Sequence, residues 1–89
     1  MAIKLEMLRV FRTVAEQGTL AGAADVLGRT PSALSMMLAQ LEEELGAPLF
    51  ERTARGMKLL PTGQRLLPRA RAILAAIEDA RAVVRDDDP

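Results

Sequence analysis

The chain has no cysteine, histidine, tryptophan or tyrosine, and its 89 residues include only two phenylalanines, Phe11 and Phe50. Without thiols or imidazoles there is no material for disulfides, for Cys/His metal sites, for cysteine nucleophiles or for imidazole general bases. The remaining acids fall on helix faces or at the tail, where no pair is placed to converge on a pocket, and no glycine-rich phosphate loop occurs. Neither an enzyme nor a bound cofactor or metal is therefore expected. Long hydrophobic runs are missing too: none approaches the roughly 18 residues that a membrane span needs. The opening MAIKLEMLRVF carries an acid, Glu6, and leads into no small-residue cleavage site. A cytoplasmic protein without a membrane partner is the expectation.

What is present is aliphatic. Hydrophobic residues make up 49% of the chain and are mostly Leu, Ala, Val, Ile and Met, a composition that suits helices. A chain of this length forms one small core, which is marginal alone and gains from pairing with a second copy. The formal net charge is zero, but the charges are segregated. Thr13 to Glu51 holds six acids (Glu16, Asp25, Glu42, Glu43, Glu44, Glu51) and one base, Arg29, whereas Arg52 to Arg71 holds six bases (Arg52, Arg55, Lys58, Arg65, Arg69, Arg71) and no acid. A basic stretch of that density suggests a polyanionic partner; the alternative is a solvated surface balanced by the acidic half.

Leu5, Leu8, Phe11 and Ala15, with Met7 and Val14 beside them, recur at helical spacing and predict a first helix from about residue 3 to Gln17. Gly18 ends it. Thr19 is an N-cap for a short second helix, Leu20 to Leu27, whose Ala23, Ala24 and Leu27 let a neighbour lie close. Gly28 stops that helix, and Thr30 followed by Pro31 starts a third. In the third helix Leu34, Leu38, Leu41 and Leu45 fall within an arc of about 60° on the wheel. Ser32, Ser35, Met36, Ala39, Gln40 and Glu43 form the outward face, and Met37 lies at the edge of the core. Pro48 to Phe50 and Met57 to Leu60 read as two short strands joined by a basic turn at Gly56. From Thr62 to about Arg85 a last helix carries Leu66, Ala70, Ile73, Ile77, Ala80 and Val84 within about 40° of one line. It is a rod of roughly 36 Å, longer than so small a body covers, and Pro68 should bend it or delay its start. The tail, Asp86 to Pro89, is expected to fray.

This order is mainly α: a winged helix-turn-helix over residues 1–61, with a small two-stranded hairpin, and a long C-terminal linker or dimerisation helix with an acidic tail over 62–89. Its second helix would cross a DNA backbone while the third enters the major groove by its N-terminal end, where free amides attract phosphate and short side chains allow close approach. Glu42, Glu43 and Glu44 lie at the other end of that helix, which argues for entry tip first. Arg29, Arg52, Arg55, Lys58 and Arg65 are candidates for phosphate contacts, although each could equally be a solvated base or a partner for a nearby glutamate, and Arg52 could brace the hairpin against the body. Thr30, Pro31, Ser32, Ser35 and Met36 are the candidates nearest the bases. Met36 points away from the leucine stripe. It is either an apolar contact to a thymine methyl, a single exposed side chain, or the mark of a module turned toward protein contact. The apolar line of the last helix, Leu66, Ala70, Ile73, Ile77, Ala80 and Val84, is the candidate homodimer interface, with Ile73 and Ile77 foremost because Leu66 and Ala70 could pack on their own body.

Taken together, Val14-Ala-Glu16, Gly18-Thr-Leu20, Ala23-Ala24, Ala33-Leu-Ser35, Leu41-Glu42, Leu45-Gly46, Pro48-Leu-Phe50-Glu-Arg52, Arg55-Gly56 and Pro61-Thr-Gly63 resemble the N-terminal DNA-binding domain of the LysR-type transcriptional regulators over essentially the whole chain. The resemblance implies dimerisation through the last helix, binding to pseudo-palindromic promoter DNA, and a C-terminal effector-binding domain for which these residues have no counterpart. The departures are Pro31, where the family usually has glutamine; Met36 and Met37, where it often has arginine and glutamine; and Leu60, where it usually has threonine. They bear on base readout, since no residue from 31 to 36 can form the bidentate pairs that Arg, Asn or Gln would. The function expected is sequence-specific binding of double-stranded DNA by a dimeric regulator; the alternative is a dimerisation or protein-interaction module of the same fold that binds DNA weakly or without preference.

Overall fold

The computed structural model describes residues 3–85, so the Asp86 to Pro89 tail lies outside the described residues. The elements run α1 (Leu5–Gln17), α2 (Leu20–Leu27), α3 (Pro31–Leu45), β1 (Phe50–Thr53), β2 (Gly56–Leu59) and α4 (Pro61–Arg85). The mainly helical winged helix-turn-helix with a long last helix is thus the observed architecture. Three boundaries differ from the sequence reading. Helix α1 starts at Leu5. The strands sit further into the hairpin, because antiparallel pairing of Phe50 with Leu59 and Thr53 with Gly56 draws the turn in to two residues. Helix α4 begins at Pro61 and continues through Pro68.

The helix starts follow their sequence signals. Thr19 Oγ1 accepts from Gly22 N at 2.9 Å, and Thr30 Oγ1 accepts from Ala33 N at 3.2 Å, with Pro31 in the first turn of α3. Between α2 and α3 the chain reverses at Gly28, whose φ of 67° lies in the left-handed region that disfavours a side chain.

Helix α1 is the centre of the body. It packs against α2, α3 and α4 at once, and so buries a wide arc: Met7, Leu8, Val10, Phe11, Thr13 and Val14. Thr13 satisfies its buried hydroxyl by donating to Arg9 O at 2.8 Å. Leu34, Leu38 and Leu41 of α3 are buried, and Met37 packs against the edge of the core, both as the wheel predicts. Leu5 and Leu45 depart from the prediction. Each stands at a helix end beyond the neighbours that cover the stripe, and both are exposed.

The wing is held from several sides. Leu49 and Phe50 enter the core, with the Phe50 ring 5.5 Å from that of Phe11. Glu42 Oε2 accepts from Leu49 N at 2.7 Å and from Phe50 N at 3.4 Å. The Thr62 hydroxyl donates to Pro48 O, and Leu60 N to Leu49 O at 2.9 Å. At the far end Met57 N donates to Gly18 O at 2.8 Å. A Cβ at Gly56 would collide with that same carbonyl, so the residue beside the α1–α2 turn has to lack a side chain.

Candidate nucleic-acid interface

The outward side of α3 and the wing form one surface. Arg52 reaches back from β1 and donates through Nη2 to Ser35 Oγ at 2.5 Å. It therefore braces the hairpin, which the sequence left as one alternative, but against a serine of α3 in place of an acid of the body. Pro31, Ser32, Met36 and Ala39 line an open surface hollow with Arg52, and Leu20 at the start of α2 closes one side of it. Thr30 is committed to the α3 cap, with its hydroxyl 3.4 Å from Ser32 Oγ. Pro31, Ser32 and Met36 are exposed, Met36 at 64%. Ser35 is half-buried beneath Arg52.

The other basic candidates stand on separate elements. Arg55 occupies the hairpin turn, where its backbone N donates to Thr53 Oγ1 at 3.2 Å. Lys58 lies on β2 in register with Glu51. Arg65 is exposed near the start of α4. Arg29 behaves differently. Its guanidinium is 3.3 Å from Glu6 Oε2 and 4.0 Å from Met37 Sδ, so it is folded toward α1, the glutamate-partner alternative of the sequence reading.

Ala39 and Gln40 share the surface, on the outward face that the helical wheel gives them. Leu20 joins it with no signal in the sequence, because only the packing of α2 across α3 brings it there.

Along α4 the candidate interface residues divide. Leu66 packs partly on the core and Ala70 is fully buried within it, which removes Ala70 from any surface offered to a second copy. Leu74, absent from the predicted stripe, is also buried in the body. The reason is angular: α1 meets α4 on the side shared by Ala70 and Leu74, turned from the line through Ile73. That line stays open, with Ile73 at 43% exposure, Ala80 exposed and Val84 at 87%. Ile77 is half-buried and borders a shallow apolar hollow with Ala80 and Val84. Arg71 and Glu16, 3.5 Å apart, tie α4 to α1 below the open segment.

A capped helix carrying short side chains at its tip, braced to a basic wing, defines a winged helix-turn-helix module of the nucleic-acid-binding class. The family model for bacterial regulatory helix-turn-helix proteins of the lysR family matches residues 5–64, and the chain belongs to that family. It is 44% identical over 88 residues to the probable HTH-type transcriptional regulator YhaJ of Escherichia coli, covering 94% of this chain and 30% of YhaJ. To the HTH-type transcriptional regulator DgdR of Burkholderia cepacia it is 42% identical over 81 residues, covering 91% of this chain and 28% of DgdR. The chain thus spans about 30% of the length of such curated relatives. Among solved structures it resembles the CbnR_DBD–DNA complex (33% identity, TM-score 0.82, 93% of this chain and all of that one) and the BenM_DBD/benA site 1 DNA complex (32% identity, TM-score 0.88, 93% and 96%). Membership of this regulatory family makes the domain a non-enzymatic one. Among the described residues no helix is long and apolar enough to cross a membrane.

Proposed function

We propose that this domain binds double-stranded DNA as a homodimer, at a pseudo-palindromic site, within a transcriptional regulator. The observation that carries the reading is the Arg52–Ser35 contact, which joins the basic wing to the outward side of α3 in one surface. Two relatives of this fold, solved as complexes with DNA, align with 93% of the chain. In this reading the tip of α3, with Thr30, Pro31, Ser32, Ser35 and Met36, enters the major groove, and Arg52, Arg55, Lys58 and Arg65 neutralise phosphates of the flanking strands. Arg29 contributes after releasing Glu6. Residues 62–89 serve as linker and dimerisation segment, with Ile73, Ile77, Ala80 and Val84 as the interface and Leu66 at its inner margin. Two such helices side by side under a two-fold axis would bury the exposed line and hold the two reading helices at the fixed spacing that a two-fold site requires.

The test is the salt dependence of binding. Four or five basic side chains per copy neutralise roughly eight to ten phosphates per dimer, so the log–log slope of affinity against salt should be about −7 to −9. A slope near zero on every duplex would overturn the reading in favour of a protein-interaction module.

A further inference from the structure

We propose that Met36 reads the C5-methyl group of a pyrimidine in the major groove, so that thymine or 5-methylcytosine is recognised there and uracil or unmodified cytosine is not. The inference rests on the DNA-binding reading and adds to it what the site reads.

Three observations lead to it. First, Met36 projects from the outward side of α3 with most of its surface free, and its neighbours are largely carbon and sulfur. Ala33 and Met37 lie to one side with Thr30 and Gln40; Pro31, Ala39 and Leu20 lie to the other with Ser35, and Ser32 borders both. Second, the two guanidinium groups nearest it are directed to other partners in the free domain, Arg29 to Glu6 and Met37, Arg52 to Ser35, and in the DNA-bound reading they serve phosphates, not base edges. The immediate surroundings of Met36 are therefore mainly apolar, with Thr30, Ser32 and Gln40 as exposed uncharged polar side chains beside it. Third, its margin is basic: Arg52 borders the Met36 hollow, and Arg55 in the adjoining hairpin turn makes no ion pair among the described residues.

An apolar patch bordered by cations fits a duplex, whose phosphates flank a groove floor with a single kind of apolar feature, the methyl on C5 of thymine. Cytosine acquires the same feature when methylated at C5. The methionine side chain is flexible and polarisable, and suits a methyl whose position varies slightly between base steps. A purely apolar protein partner would leave the wing cations uncompensated, so charge complementarity selects DNA as the occupant.

The experiment starts from the tightest duplex that the wild-type domain selects from a random pool, and measures affinity by fluorescence anisotropy. Each thymine is replaced in turn by uracil, which removes one methyl and nothing else. We expect one position per half-site at which the exchange weakens binding about four-fold, the equivalent of one buried methyl, and at which 5-methylcytosine opposite guanine retains more affinity than cytosine. Met36→Ala should abolish the thymine–uracil difference at that position, and Met36→Leu should retain it. Circular dichroism confirms that the variants are folded. A flat uracil scan with wild-type protein that still binds selectively overturns the methyl inference and leaves the DNA reading standing. A thymine–uracil difference that persists in Met36→Ala overturns the assignment to Met36. If no duplex is bound in a salt-dependent way, both the DNA reading and the inference fall.

Discussion

Helices α3 and α4 both begin at a proline and both carry an apolar line at helical spacing, yet the chain treats the two lines differently. Leu34, Leu38 and Leu41 of α3 are covered by their own body, while the α4 line runs from the fully buried Ala70 to the almost bare Val84, with Ile73 and the half-buried Ile77 between. The difference is one of reach. Helix α4 has 25 residues, about 37 Å at 1.5 Å per residue, in a molecule only 27 Å and 20 Å across its short axes. An apolar stripe therefore identifies what must leave water; how far the rest of the chain extends decides whether this copy or another one covers it. A patch of that kind left in water is an association surface.

The sharpest way to break this comparison is to damage both stripes. Leu41→Ala, in the covered stripe, should cost about 3 kcal/mol by leaving a cavity, and lower Tm by more than about 10 °C in a thermal melt. Ile77→Asp, in the open stripe, should leave the helical signal intact, turn the sedimenting species into a 9.6 kDa monomer, and weaken binding to a two-fold duplex about a hundredfold. The second half-site then no longer benefits from being tethered to the first. If Ile77→Asp instead unfolds the chain, the open stripe belongs to the body and the comparison fails. Wild-type protein that sediments as a monomer at micromolar concentration would remove the dimer altogether.

Smaller effects separate the two ends of α3. Glu42→Ala leaves the amides of Leu49 and Phe50 without their acceptor and should cost about 1.5 kcal/mol in a denaturant titration. Because those amides lead into β1, the loss should also loosen the wing, seen as faster amide exchange at Leu49 and Phe50. Thr30→Ala removes the cap at the other end and should cost about 1 kcal/mol, while Thr30→Ser restores most of it. Equal exchange rates at Leu49 and Phe50 in wild type and Glu42→Ala would show that the carboxylate does not hold the wing.

These contrasts locate the boundary of what could be read from the chain alone. Helix starts and stops were legible because they depend on local chemistry: Thr19 and Thr30 cap, Pro31 opens a first turn, and Gly28 adopts a left-handed turn whatever surrounds it. The buried side of α3 was legible for the same kind of reason, since four leucines one or two turns apart define a face, and only Leu45 at the end of the helix escaped cover. The outward direction of Met36 and the edge position of Met37 followed from the same wheel.

The candidate interface was less legible, because its parts come together through space. Nothing in the spacing of Ser35 and Arg52 shows that they meet across 17 positions, or that Arg29 turns to Glu6 and withdraws from the reading face. Nor does the α4 pattern show that the body takes Ala70 and Leu74 while leaving Ile73 open; that depends on the angle at which α1 meets α4. Periodicity and capping are properties of one segment, so the sequence by itself determined the helices, their order and their apolar faces. Which basic side chains are engaged, which apolar ones remain exposed, and how the wing is held depend on distances between segments, and only the tertiary structure decided them.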